Sequence, residues 1–571
     1  LTGLLKPELL AHRFAPPIGV EDISLPAHKL AIAIAVALIA LGLVPLLESW
    51  LSSERARRWL RIVATVCAYL ALCSALSDWM IDDAAITFAY SENLVRGYGL
   101  TLHPSLPREE AYSNTLWMLW LAALRFAGIA VPIAAKYSCL AVGSVTILAV
   151  HLGASRLNGE RLRSWLLPSM VLFGAPYLVW SCSGLEHGLQ GLSIVLCALW
   201  PLFDEKRAPV VSGLSLAALV LVRPEAPLIV MACTYLYVYY THQRTKNWLT
   251  AAQENWAVAV IPGAVWVALI AFRLAYFGDP LANPYYVKAS DATFARLLNV
   301  VGGGWEYVYA WAFGSGIFIA LPIVIRACAK QLPKSIAIAL GLSATHLAFV
   351  LYARGDWMGC WRFICPIIPS LAFVIAWAYS EPEEAASNGT RLAFAHSVAT
   401  VSTLVVLALG SFRQYLTFLA TPTTPYEVVA KVGQEFVDLG KRLGLNDPVL
   451  AHHDAGGTSY AARIKLLDLG GLGNRAIAKH MNDAEFLTHY ILDDAKPDFV
   501  FGVARNFAAG RSLFWQRPQF ETDYVRVEFP GKPYMKSDLS YIKRTLVEKQ
   551  PLPPGIELER QGSLLASVIV K

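Results

Sequence analysis

The chain has 571 residues, of which 56% are hydrophobic, 11% aromatic and only 16% charged. That balance excludes a water-soluble enzyme of this length and describes a multispanning membrane protein. The formal net charge of +6 is no argument for nucleic acid, because Lys and Arg fall mainly in short loops and in the last third.

Residues 1–27 read as a polar N-terminal segment with no cleavable leader in view. A helix crosses a bilayer with roughly 20 apolar residues. On that measure spans are predicted near 28–48, 57–77, 135–153, 165–181, 185–202, 209–223, 225–241, 254–274, 309–326, 334–352, 363–380 and 393–412. The expected fold is a polytopic α-helical membrane protein with about 11–12 transmembrane helices.

The basic connections SSERARRWLR, ASRLNGERLRS, PLFDEKR, THQRTK and RACAKQLPK are assigned to the cytoplasm. The polar stretches 78–112, SGLE near 183, RPE at 223–225, 275–308 and ARGDWMGCWRF at 353–363 then share the outer side. Parity requires that 113–130 does not cross, so 84–96 and 113–130 are predicted to lie along the outer face.

Residues 28–412 form the expected membrane domain and 413–571 an outer α/β domain. Its β-like runs are PVLAHHDAGG, IKLLDLGG, PDFVFG, YVRVEF and ASVIV. The NGT at 388–390 sits in a predicted cytoplasmic loop and reads as a chance sequon. Of nine cysteines none follows residue 365, so no disulfide framework is expected, and none between Cys360 and Cys365.

Carboxylates at a membrane helix are costly unless they face a cavity, a partner or water. Asp82 and Asp83 are the first such pair. The competing reading is a capping pair at a helix N-terminus, but Asp83, Thr87 and Tyr90 share a face and open a polar stripe. Glu92 and Arg96 read as an i,i+4 surface pair.

The other outer loops supply matching chemistry. Arg223, Lys288, Arg354 and Arg362 suit a phosphate. Glu109, Glu110, Tyr112, Asn114, Glu186, His187, Glu225, Tyr285, Asp356 and His453 suit sugar hydroxyls and rings. Lys288 and Arg362 also suit interfacial anchoring. His452, His453 and Asp454 lack the spacing of a metal site, since neighbours on a strand point to opposite faces. Asp468 reads as a loop or fold residue.

Six blocks, IDDAAITFAYSENLVRGYGLTLHPSLPREEAYSNTLW, SGLEHGL, VRPEA, GDPLANPYYVK, RGDWMGCWRFICPIIP and HDAGGTSYAARIKLLDLGGLGNRAIAK, occur in that order. In them the chain resembles the membrane glycosyltransferases of the C superfamily fold (GT-C) that use polyprenyl-phosphate sugars. Within these it is similar to the branch of the mycobacterial terminal arabinofuranosyltransferase.

The resemblance implies transfer of a monosaccharide, D-arabinofuranose first, from a polyprenyl phosphate to a hydroxyl of a cell-envelope glycan, glycolipid or protein. The expected setting is the outer face of a bacterial plasma membrane. It implies a catalytic Asp, with Asp82 the first choice for the base and Asp83 its orienting or cation-binding neighbour. Glu109 and Glu110 become candidates for the acceptor, and Arg223, Lys288, Arg354 and Arg362 for the donor phosphate. A Mg²⁺, Mn²⁺ or Ca²⁺ ion on Asp82 and Asp83 is the one cofactor to consider.

The chain departs from the pattern in three places. Two spans precede the DD where one is common, His187 stands where a small or hydroxyl residue is expected, and Arg354 replaces a usual Gly. Mannose or a preassembled glycan are the alternative cargoes. A secondary transporter would need midplane charges and a paired repeat, and neither is visible. A non-catalytic scaffold is the last alternative.

Overall fold

The computed structural model describes residues 27–159, 162–289, 300–329, 331–380, 390–502, 512–532, 534–535, 540–548, 551–562 and 564–571. Residues 1–26, the stretch 290–299 and most of the NGT sequon lie outside them.

Each predicted span falls on a helix. Ala27–Gly42 continues as Val44–Glu48, and Glu54–Ser74, Val131–Asn158, His187–Leu199, Ala208–Val222, Ala226–Thr245, Trp256–Phe277, Lys334–Tyr352 and Thr390–Ala420 follow in order. The span read at 165–181 is two helices, Leu162–Leu172 and Ala175–Trp180. The break lies at Gly174, with Pro176 in the first turn beyond it, where its missing N–H costs no helical bond.

The span read at 309–326 is also broken, with its halves bent by 80° about Gly316 at φ 75°. Among the described residues six helices are long and apolar enough to cross a membrane, or seven if the bent pair is one span. The protein is thus a polytopic α-helical membrane protein with a C-terminal α/β domain.

The two segments expected along the outer face are the helices Asp82–Val95 and Thr115–Phe126, both shorter than a crossing needs. Thr115–Phe126 exposes Trp120 and Phe126, which suits an interfacial position. The last apolar helix runs to Ala420, past the expected boundary at 412.

The terminal domain holds one mixed sheet of β1 (Val449–His452), β2 (Lys465–Asp468), β3 (Phe499–Phe501), β4 (Tyr524–Glu528), β5 (Ser540–Lys543), β6 (Ile556–Gln561) and β7 (Leu564–Val570), ordered β2-β1-β3-β5-β4-β7-β6. β1 pairs in parallel with β2 and β3. β5 joins antiparallel to β3 and β4. The amphipathic helix Tyr426–Arg442 buries Val429, Val432, Phe436 and Leu439, with Phe436 5.2 Å from Phe499.

The domains are stitched together at the DD segment. Tyr426 N donates to Met80 O (3.1 Å) and Asp82 N to Thr424 O (3.2 Å), while Ile81 and Pro425 form an isolated bridge. Trp79 Nε1 donates to Thr423 O at 2.8 Å. The loops that leave the carboxyl ends of β1 and β2, the end at which open α/β sheets commonly present function, therefore arrive at the helix Asp82–Val95 and the loop after it.

Candidate functional site

Adjacent helical residues point in different directions, and the DD pair uses that divergence. Asp82 turns to the terminal domain, where its carboxylate accepts N–H bonds from Gly457 (2.7 Å) and Gly456 (3.1 Å). A Cβ on Gly456 would stand 1.9 Å from Asp82 O, so only glycine permits this approach.

Asp83 keeps 34% of its side chain open and accepts from Arg362 Nη1 at 3.0 Å. Arg362 Nη2 also donates to Asp356 Oδ1 at 3.1 Å. Burial pushes both carboxyls of the pair above the ordinary Asp range. For Asp82 the neighbouring Asp454 adds to the rise and the glycine amides oppose it, whereas for Asp83 Arg362 opposes it.

Three of the four cations expected at a phosphate surround one ring. Arg362, Lys288 and Arg223 lie 5.2, 5.7 and 6.0 Å from the centre of Phe363, within cation–π range. The loop that carries Asp356 and leads to Arg362 holds Arg354, Cys360 and Trp361 at φ 60°, 59° and 48°. Such backbone is held only where the surroundings over-determine it; here Trp180 Nε1 donates to Cys360 O at 3.0 Å. Arg354 is exposed and packs beside Gly303.

Arg223 is not open to a ligand in this arrangement. It donates to Glu186 (2.9 Å) and Glu225 (2.9 Å). Gln190 Nε2 adds a bond to Glu225 (3.1 Å) and Asn114 Nδ2 one to Glu186 (2.6 Å). Thr87 Oγ1 donates to Asn114 Oδ1 at 3.1 Å. Glu186, Glu225 and Asn114, expected at a sugar, thus form a buried network that fixes Arg223, and breaking one member would strand a charge.

The remaining candidates mark the seam between the domains. Glu109 accepts from Arg475 N (2.6 Å) and Asn283 Nδ2 (3.3 Å), and Asn283 also donates to Leu472 O (3.0 Å). Asp279 accepts from Lys479 and Tyr286, each at 2.5 Å. Glu110 accepts from Arg273 Nε at 2.7 Å and Nη2 at 3.0 Å. Tyr112 is buried against Tyr90, ring centres 4.7 Å apart, and His453 is buried 3.6 Å from Asp454. Neither is placed to greet an acceptor. Tyr285 is 47% exposed. The Glu92 and Arg96 pair forms at 2.6 Å, and Arg125 joins it at 2.7 Å.

Asp468 has the fold role expected of it, accepting from Gly470 N (2.8 Å) and Gly473 N (2.6 Å). Burial pushes its carboxyl up to about 7, against about 3.9 for a solvated Asp. Between those values the folded state holds a proton that the unfolded state has lost. This group's contribution to stability is therefore full below about pH 4, falls as pH rises toward 7 and is level above. The melting temperature of the wild type relative to D468N is expected to drop across that window; a difference independent of pH would refute the assignment.

Two organising cations were not singled out in the sequence. Lys136 Nζ donates to the carbonyls of Trp79 (2.7 Å), Leu76 (2.9 Å) and Cys182 (2.9 Å), and so ties the approach to the DD pair to the SGLE turn. Arg273 is the other; a charge inside the predicted span 254–274 was its signal. Charge-assisted bonds contribute about 1.5–3 kcal/mol each. K136M is expected to lower the melting temperature, with K136R intermediate; unchanged melting would remove Lys136 from this role.

A divalent cation fits this donor set poorly. The Asp82 oxygens face two amides and Asp83 faces a guanidinium. Among the described residues no group of three or more His, Cys, Asp or Glu side chains gathers to hold a metal ion.

Comparison with known proteins gives three findings. A family described as a domain of unknown function, DUF8728, matches residues 426–545, within the terminal domain. No curated protein matches the chain. Among solved structures the chain is similar to ArnT from Cupriavidus metallidurans in the apo state, at 12% identity and TM-score 0.47, over 74% of this chain and 88% of that one. For ArnT bound to undecaprenyl phosphate the values are 13%, 0.48, 71% and 85%. For the apo oligosaccharyltransferase of Archaeoglobus fulgidus they are 12%, 0.47, 92% and 75%.

Proposed function

We propose that this protein is a glycosyltransferase that moves a single sugar, D-arabinofuranose in the first instance, from a polyprenyl phosphate to a hydroxyl of a cell-envelope glycan. The observation that carries the reading is the open carboxylate of Asp83 paired to Arg362, which shares the Phe363 ring with Lys288 and Arg223. A base and a phosphate clamp meet there beside two interfacial helices. The setting is a bacterial plasma membrane with the site on the outer side.

The chemistry follows from those charges. Asp83 accepts the proton of the acceptor hydroxyl as its oxygen forms the new bond to the anomeric carbon. The bond from that carbon to the phosphate oxygen breaks, and its electron pair leaves on the polyprenyl phosphate. Arg362 and Lys288 offset the charge that develops there. A phosphate is already a good leaving group, so no general acid is required. Asp82 is here the anchor of the terminal domain, which reverses the order of preference drawn from the sequence.

The charge count bears on the donor. Arg223 is taken up by Glu186 and Glu225, and Arg362 is shared with Asp83 and Asp356, so the clamp that meets the donor is Arg362 with Lys288 beside the Phe363 ring. Purified protein supplied with radiolabelled decaprenyl or undecaprenyl phosphate sugars and membrane glycan acceptors is expected to transfer label. Mannose in place of arabinose would revise the sugar. Transfer only from a diphosphate-linked oligosaccharide would overturn the reading in favour of glycan transfer en bloc.

A further inference from the structure

Beside the Phe363 cluster lies a side chain that the transfer chemistry leaves unused. His187 opens the helix His187–Leu199, is 1% exposed, and has no hydrogen-bond partner for either ring nitrogen among the described residues. Buried polar groups are nearly always paired, so an orphan points to a missing partner. A neutral imidazole always presents one N–H donor.

The surroundings define what that partner is. Arg223, Arg362 and Lys288 exert the largest charge effects on the ring, together with the second imidazole of His346. His346 is itself engaged, Nε2 to Phe363 O at 2.8 Å. The Trp180 ring lies 5.9 Å from the His187 ring and 5.8 Å from the Arg362 guanidinium, so the imidazole and the clamp share one aromatic wall. A buried, unpartnered imidazole at a helix N-terminus, walled by the same Trp180 ring as the Arg362 guanidinium, is arranged for an anion.

We propose that His187 donates a hydrogen bond to a phosphate oxygen of the polyprenyl-phosphate donor, beside Arg362 and Lys288, and so makes the site selective for the lipid's phosphate headgroup. This rests on the transfer reading. The role differs from sugar or acceptor binding, to which the sequence assigned His187, because the surrounding charges match an anion. His187 moves no proton here; it binds and orients.

The test uses the full chain in detergent with undecaprenyl phosphate as probe, alongside initial rates with a lipid-phosphate sugar. H187F is expected to weaken the undecaprenyl phosphate Kd and raise the donor KM about tenfold, as loss of a bond to a charged group does, with acceptor KM unchanged. H187Q, whose side-chain amide can restore an N–H, is expected to recover most of both.

H187F constants within twofold of wild type, or a shift in acceptor KM alone, overturn the proposal. If H187F does not fold, H187Q and H187N decide it by the same two constants, judged against their melting temperatures. Inorganic phosphate that binds as tightly as undecaprenyl phosphate would assign the site to free phosphate and refute the lipid headgroup. A wild type that transfers sugar from no lipid phosphate sinks the transfer reading, whereas an active wild type with an indifferent H187F sinks only the role of His187.

Discussion

D83N should lower transfer by about 10²–10⁴-fold, the usual contribution of a general base, without lowering the melting temperature. The substituted amide keeps an oxygen for Arg362, and Arg362 keeps its bond to Asp356, so no buried charge is stranded. Only the proposed proton acceptor is lost. D82N should behave differently. Its amide would turn an N–H₂ toward one of the two glycine N–H groups, and two donors facing one another leave both unpaired. The expected result is a lower melting temperature and faster proteolysis in the segment 421–425. Full transfer by D83N, or loss of transfer in D82N with unchanged melting and proteolysis, would return the base to Asp82.

G456A should detach the terminal domain. The methyl group would stand 1.9 Å from Asp82 O and 2.7 Å from its carbonyl carbon, and a backbone contact cannot be relieved by turning a side chain. Overpacking of this kind costs typically about 1–3 kcal/mol, here concentrated on the loop that anchors Asp82. Hydrogen exchange in residues 453–475 is expected to rise, and transfer to fall at least about tenfold. G263A, with nothing within 4 Å of the new methyl, serves as control. Normal exchange and normal transfer in G456A would show that the seam does not depend on this approach.

The parts readable in advance were those whose signal is local. Apolar runs located the long helices, and Asp82–Val95 and Thr115–Phe126 are found as separate helices too short to cross, because length acts segment by segment. The DD pair stood out because carboxylates are rare in such a chain. β5 and β6 escaped notice for a physical reason: β6 is a sheet edge whose Glu557, Glu559, Arg560 and Gln561 are largely solvent-facing, so it lacks an apolar alternation.

Which partner each site residue takes was not readable, since it depends on contacts across hundreds of residues. Asp82 and Asp83 look alike in sequence. One meets amides near residue 456 and the other a guanidinium at 362. Arg223 reads as a phosphate ligand until Glu186 and Glu225 are seen on either side of it.

The clamp on Asp82 also sets a clock. Its glycine partners are encoded 374 and 375 residues later, which at roughly 5–20 residues per second is about 20–75 s of synthesis. Through that interval the Asp82 carboxylate has no glycine amides to accept from. A chain that stops before residue 456 therefore lacks both amide partners of Asp82. The contact between Asp82 and the terminal domain consequently forms late in synthesis, after the apolar helices up to Ala420 have been made.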